Sequence, residues 1–169
     1  MAAEVFTYMG ESSIVPNNVV RVRVHPSVTE IPYRAFAERN NLEEVELCDG
    51  LLEIGNEAFK DCKSLKQINF PSTLEIIGDN AFYGCKSLDG VELGNGIERI
   101  GLSAFSRLGC KSSHLRIPPL VTTMNFFSAW RSWLRDCDIL AYTNFTPSEL
   151  SQKWFKVQIS TCVHILQMM

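Results

Sequence analysis

Hydrophobic side chains recur along this chain at a fixed interval of 23 residues. The most recognisable member of the pattern is an Ala-Phe pair, found at Ala35-Phe36, Ala58-Phe59, Ala81-Phe82 and Ala104-Phe105. An isoleucine stands five residues before each Phe, and another aliphatic residue stands three residues before that isoleucine. A fixed interval of this length is typical of repeat proteins, in which each repeat packs mainly against its neighbours.

Each repeat also contains one short stretch in which apolar and polar residues alternate, as in Val22/Val24 and Val45/Leu47. This alternation predicts a β-strand with one buried face. Successive copies share one register, so the strands are expected to lie parallel and about 4.8 Å apart. The complete unit reads L-x-x-V-x-L-x-x-x-L-x-x-I-G-x-x-A-F-x-x-C, followed by two further residues.

Two other segments of the unit predict the shape of the rest of the coil. The Ala-Phe-x-x-Cys segment is expected to form a short helical turn in which Phe points inward and Ala allows the turns to stack. A glycine follows the isoleucine in three copies (Gly55, Gly78 and Gly101). Glycine at this place indicates either a positive φ or a close backbone approach.

The repeats divide the chain of 169 residues into three predicted segments. Residues 1–18 are expected to cap the N-terminal end, residues 19–141 to form a solenoid of about five repeats, and residues 142–169 to form a C-terminal cap or tail. The fifth copy, around Leu115 and Met124, is the weakest. A single repeat buries too little apolar surface to offset the ordering of its backbone, so the solenoid is expected to be stable only as an array.

The repeat resembles the leucine-rich repeat of the BspA-like class, which occurs in bacterial surface antigens and in many protist and algal proteins. The match extends from about Val19 to Trp130 and depends on the signature L-x-x-I-G-x-x-A-F-x-x-C. The segments "VVRVRVHPSVTEIP" and "RIPPLVTTM" also resemble repeat proteins of unicellular algae. The resemblance implies an α/β horseshoe, with a parallel sheet on one face and short helical turns or loops on the other. It implies binding of other molecules and carries over no catalytic residues.

Composition and charge exclude several classes of partner. The net charge of −3 gives no general affinity for nucleic acid or for an anionic membrane. No basic stretch followed by an apolar run is present near the N-terminus, so no secretory signal is predicted. No segment approaches the roughly 20 apolar residues of a membrane span. The default expectation is therefore a cytoplasmic protein, with reduced thiols.

Candidate chemistry along the chain gives no catalytic, metal or cofactor site. Cys62 and Cys85 lie one repeat apart, and small buried thiols explain them better than a disulfide or zinc, because no close-spaced ligand pair accompanies them. Cys137 lies between two aspartates, which disfavour a reactive thiolate. The glycines of "GNGIERIG" do not have the spacing of a phosphate-binding loop, and the three histidines are far apart.

The outward positions of the alternating strands form the candidate binding surface, which is expected to be the concave face of the sheet. These positions are Arg21, Arg23, Glu44, Glu46, Gln67, Asn69, Glu92, His114 and Arg116. Adjacent strands are expected to place Arg21 beside Glu44 and Arg23 beside Glu46. The set therefore has two interpretations, which are a recognition strip and a series of mutually neutralised charge pairs.

The sequence as a whole predicts a non-catalytic scaffold that mediates protein–protein interaction. Two alternatives remain, which are an extracellular adhesion or surface-recognition module and the recognition part of an enzyme whose catalysis lies elsewhere. The absence of a signal sequence counts against the first alternative. The absence of an acid–base or nucleophile arrangement counts against the second. The identity of the protein partner is not encoded in the repeat.

Overall fold

The computed structural model describes residues 4–89 and 91–108, together with the backbone of two short strands further along the chain. Within this part the chain forms eleven short strands. They are β1 (Val5–Tyr8), β2 (Arg21–Val24), β3 (Glu30–Ile31), β4 (Glu44–Glu46), β5 (Glu53–Ile54), β6 (Gln67–Asn69), β7 (Ile76–Ile77), β8 (Val91–Glu92), β9 (Arg99–Ile100), β10 (Leu115–Arg116) and β11 (Thr123–Met124).

The strands are distributed over two sides of a solenoid, and every pairing is parallel. The alternating stretches form the first sheet, in the order β1-β2-β4-β6, and β8 pairs with β10 in the same manner. The L-x-x-I segments form a second sheet in the order β11-β9-β7-β5-β3. Partners in each sheet are one repeat apart, as in Val22 with Val45 and Ile31 with Ile54. The predicted parallel stacking of the repeats is therefore confirmed.

The third side of the coil, here called the turn side, contains the Ala-Phe segments. No helix occurs within the described residues, so the predicted helical turns and the α/β class stay predictions. Each segment is instead a run of turns with two residues in the left-handed region. One column stands directly before Ala and the other stands two residues after Phe: Arg34, Glu57, Asn80 and Ser103, then Glu38, Asp61, Gly84 and Arg107, with φ between 53° and 75°.

Hydrogen bonds join the turn sides of successive coils as regularly as they join strands. The N–H of Phe36 donates to the carbonyl of Ala58 at 2.8 Å, and the N–H of Phe59 donates to Ala81 at 2.8 Å. Phe82 donates to Ala104 at 2.7 Å. The left-handed residues on either side of each Phe direct these N–H groups toward the next coil, so the backbone is satisfied without helix or strand.

A column of phenylalanines lies at the centre of the stacked coils. The rings of Phe36, Phe59, Phe82 and Phe105 are parallel to within 6°, with centroids 5.0, 5.1 and 5.3 Å apart. Tyr8 continues the column at its N-terminal end, with its ring centroid 4.8 Å from that of Phe36. Columns of Leu and Ile from both sheets surround these rings. The repeated apolar positions of the sequence are thus the core.

The glycines after the isoleucine mark a close approach between coils. None of the three has a positive φ. A Cβ added to Gly78 would lie 2.6 Å from the backbone nitrogen of Asn56, and one added to Gly55 would lie 2.9 Å from the carbonyl oxygen of Ile31. Of the two explanations that the sequence allows, the close backbone approach is the correct one.

Candidate functional site

The first sheet brings the predicted surface residues into rows across its outer face. Strand register places Arg21, Glu44 and Gln67 in one row. Arg23, Glu46 and Asn69 form the next row. Period-two alternation turns these side chains outward, while Val22, Val45 and Ile68 between them are buried.

Opposite charges on the first two coils of this face neutralise each other. Arg21 Nε lies 3.2 Å from a carboxylate oxygen of Glu44, and Arg23 Nε lies 2.5 Å from one of Glu46. The hydrogen bond from Arg23 lowers the pKa of Glu46 and raises the pKa of the guanidinium. All four side chains are between 43% and 59% exposed, so solvent screens both pairs. These pairs resemble ordinary surface ion pairs more than a free recognition strip.

The remaining predicted residues lie on later coils. Glu92 is exposed on β8, and backbone register places it opposite Arg116 on β10. The side chain of Arg116 and the whole of His114 lie outside the described residues. Gln67 and Asn69 on β6 are exposed and uncharged. The described middle coils therefore carry a sparser charge pattern than the first two coils.

The two cysteines one repeat apart are buried in the core of the solenoid. Both are free thiols, and the Sγ of Cys62 donates to the carbonyl of Phe36 at 3.0 Å, as that of Cys85 does to Phe59 at 3.1 Å. Burial raises the pKa of Cys62 to about 12 and raises the pKa of Cys85 still further above its usual range. Thiols held protonated in this way are poor nucleophiles and poor metal ligands.

Arg39 occupies the cysteine column in the first complete coil. Its guanidinium donates to the carbonyls of Ala37 at 3.1 Å and Val15 at 3.3 Å. The second contact ties the segment before β2 to the turn side. The position therefore serves packing in every described coil, with hydrogen bonds to carbonyls in place of reactivity.

Other candidate chemistry has a structural explanation or is absent from the described residues. Gly96, in the glycine-rich stretch, lies so close to the carbonyl oxygen of Ser72 that a Cβ would collide with it. Glycine here allows coils to stack and is not evidence for a phosphate loop. Among residues 4–89 and 91–108, no three His, Cys, Asp or Glu side chains are grouped as metal ligands would be. In the same part of the chain, no helix has the length and apolar character of a membrane span.

The outer face of the second sheet is the surface that sequence reasoning missed. Its strands are only two residues long, so no alternation signals them. Leu52 is 42% exposed beside β5, and Ile76 on β7 is half-buried. The only signal in the sequence is the pair of residues between Leu and Ile in L-x-x-I, which must lie outside the core.

Comparison with known proteins gives one family and two solved structures. A family model described as "BspA type Leucine rich repeat region" matches residues 8–130 in six copies. A search of curated proteins gives no match. A leucine-rich repeat protein of T. pallidum is 42% identical over 53% of this chain, with a TM-score of 0.51.

The second solved structure is a leucine rich cell surface protein from Faecalibacterium prausnitzii A2-165. It is 23% identical over 81% of this chain, with a TM-score of 0.58, and therefore shows a likeness of fold alone. The two alignments cover 43% and 36% of the bacterial proteins. This chain thus matches less than half the length of either protein.

Proposed function

Because this chain belongs to the BspA-type leucine-rich-repeat family, we propose that it is a non-catalytic scaffold that binds another protein through the outer face of its first sheet. The fold is a parallel β-solenoid of the leucine-rich-repeat type, and proteins of this family are generally non-catalytic scaffolds. Solenoids of stacked repeats present extended surfaces on which a partner contacts several repeats at once.

The observation that carries the proposal is the change in the first sheet's outer face from coil to coil. The inward positions of β2, β4, β6 and β8 are filled by Val, Val, Ile and Val. The outward positions change from Arg to Glu and then to Gln and Asn along the same rows. Stacking requires nothing of an exposed side chain, so variation there leaves the fold intact and is available for recognition.

Within this face we assign recognition to Gln67, Asn69 and Glu92. The arginines before them are already paired with Glu44 and Glu46, and a partner would have to displace those contacts. Gln67 and Asn69 have exposed amide groups that both donate and accept hydrogen bonds. Glu92 adds one exposed carboxylate on the next coil of the same row as Asn69.

The test is affinity capture with the full chain, followed by measurement of Kd with the purified partner. The variant Asn69→Lys with Glu92→Gln changes the charge of the proposed surface by +2. We expect binding at least 10-fold weaker, because charge mismatch within an interface is unfavourable. The urea midpoint should change little, because exposed substitutions usually alter stability by less than about 0.5 kcal/mol.

The matched control is Asn41→Lys with Ser87→Lys, which adds the same charge at exposed positions between the turn side and the first sheet. It should bind as the parent does. Glu57 and Asp79 are unsuitable controls, because Glu57 lies 3.1 Å from Lys60 and Asp79 accepts a hydrogen bond from the N–H of Leu102 at 2.6 Å. If the control loses binding while the first-sheet variant keeps it, the surface is assigned wrongly.

The second candidate is a surface-recognition module, as the name of the F. prausnitzii protein suggests for that protein. It differs from the first candidate in location, not in the contacts of the repeat. Protease treatment of intact cells separates the two. Loss of the protein from intact cells would place it outside, and protection until the cells are lysed would favour an internal scaffold.

A further inference from the structure

The outer face of the second sheet combines exposed apolar side chains with carboxylates that lack a cationic partner among the described residues. Leu52 and Ile76 lie at its centre, on adjacent coils. Glu30, Glu53 and Glu75 lie around them, and none of these three forms an ion pair within the described part of the chain. We call these five residues the acidic–apolar face.

Strand register places like charges directly beside each other on this face. Glu30 on β3 is the direct neighbour of Glu53 on β5. Like charges opposite each other on neighbouring strands destabilise a sheet. On the first sheet the equivalent neighbours are Arg21 and Glu44, which attract. The same backbone arrangement therefore relieves charge on one sheet and leaves repulsion on the other.

A cation of this chain limits the face on one side. Arg99 on β9 is the direct neighbour of Ile76, so the acidic character belongs to the coils that contain β3, β5 and β7. Glu98 also lies on this fourth coil. The acidic–apolar face thus spans three strands about 4.8 Å apart, which is enough for a short segment and too small for a large stable interface.

We propose that the acidic–apolar face is a second interaction surface, which docks a short basic segment of another protein with apolar side chains between its cationic ones. Charge complementarity selects this occupant, because cations relieve the repulsion between the glutamates. Apolar side chains cover Leu52 and Ile76, giving the apolar centre and polar rim that protein interfaces share. An acidic segment, a nucleic acid or an anionic membrane would add to the repulsion.

The probe for this surface is a fluorescein-labelled peptide of alternating Leu and Lys, titrated with the full chain and followed by fluorescence anisotropy. Replacing Glu30, Glu53 and Glu75 by Gln should weaken binding at least 10-fold. The matched control replaces three glutamates of the first sheet, Glu44, Glu46 and Glu92, by Gln and has the same net charge. Its affinity should stay within about 2-fold of the parent.

Two further variants separate docking from a general attraction between charges. Leu52→Ser should weaken binding about 5-fold with net charge unchanged, because it removes an exposed apolar contact. A peptide in which Ser replaces every Leu should lose most of its affinity for the parent chain. Urea midpoints of all variants should match the parent or rise slightly for Glu53→Gln, which confirms that each remains folded.

Three outcomes would overturn the proposal. They are equal loss of binding in the two triple-Gln variants, no effect of Leu52→Ser, and no saturable binding by the parent chain. The proposed function is tested by different residues, since Asn69 and Glu92 lie on the first sheet. A chain that binds its partner normally but ignores the Leu-Lys peptide would refute only the acidic–apolar face, and the reverse result would refute only the first-sheet proposal.

Discussion

The turn side and the outer face of the first sheet are parts of the same coils, yet they vary very differently from one coil to the next. On the turn side Phe36, Phe59, Phe82 and Phe105 are all buried, with at most 5% exposure. On the first sheet one row reads Arg23, Glu46 and Asn69. The difference shows that a repeat protein can fix stability on one side of each coil and vary its surface on another.

The physical cause is what each side contacts. A phenylalanine on the turn side is held by the rings above and below it, about 5 Å away, so any change is felt by two neighbours. An outward residue of the first sheet touches its neighbours only through side chains that solvent screens. The comparison therefore makes quantitative predictions about where substitutions cost stability.

The largest effect is expected on the phenylalanine column. Phe82→Ala should destabilise the protein by about 3–5 kcal/mol, because it leaves a cavity between two stacked rings and beside Phe70. Urea denaturation measures the change. Gln67→Ala on the first sheet is the comparison and should shift stability by less than about 0.5 kcal/mol. Similar midpoints for the two variants would remove the distinction between the sides.

The next effect concerns the glycines at the close approach between coils. Gly78→Ala should destabilise by about 1–3 kcal/mol, because the new methyl group meets the backbone of the coil before it. Gly94→Ala is a matched control, since its Cβ would lie at an ordinary 3.4 Å from Pro71 and Ser72. Thermal or urea unfolding of both variants tests this, and equal stability would mean that the coils can separate without cost.

A smaller effect is expected at alkaline pH from the buried thiols. Cys62 has a pKa of about 12 in the folded chain against 9.0 for an unburied thiol. The raised pKa means that its contribution to stability is complete below pH 9 and is lost as the pH rises toward 12. At pH 10 this loss is about 1.4 kcal/mol, one pH unit of difference.

The measurement is the free energy of unfolding at pH 8.5 and pH 10 for the parent and for Cys62→Ala. The alanine variant is less stable at both values because it leaves a small cavity, but its fall between them should be smaller than that of the parent. An identical fall in both chains would show that the Cys62 thiol ionises freely in the folded state.

The smallest effect is expected from the ion pairs of the first sheet. A double-mutant cycle with Arg21→Gln and Glu44→Gln should give a coupling energy of about 0.2–1 kcal/mol, as for other exposed pairs. Raising the salt concentration should reduce it further. A coupling above about 2 kcal/mol would mean that the pair supports the fold as the turn side does, and the contrast between the two sides would need revision.

The sequence allowed the core and the register to be predicted because both depend on a repeated spacing. The interval of 23 residues identifies Val22 and Val45 as direct neighbours and places Arg21 beside Glu44, as the structure shows. Side-chain type also indicated that Cys62 and Cys85 would be buried thiols. The segment boundaries at residues 18 and 141 stay predictions, as do the roles of Arg116 and His114.

The turn side and the second sheet were beyond sequence reasoning for identifiable reasons. A left-handed residue is usually announced by glycine, but Arg34, Glu57, Asn80 and Ser103 occupy that column here. Inter-coil hydrogen bonds hold these residues in place, and no local pattern encodes such bonds. The second sheet has strands too short to alternate, so the acidic–apolar face emerges only when successive coils are stacked.

The parallel stack of phenylalanine rings also makes the length of this protein adjustable in whole units. Removing residues 59–81 would join Ala58 to Phe82, and the ring of Phe82 would take the place of Phe59 between Phe36 and Phe105 with nearly unchanged spacing. A deletion of any other size would turn inward residues outward along the remaining coils. Genetic change in such a chain is therefore tolerated in steps of one repeat, and each step adds or removes one row of surface without redesigning the interior.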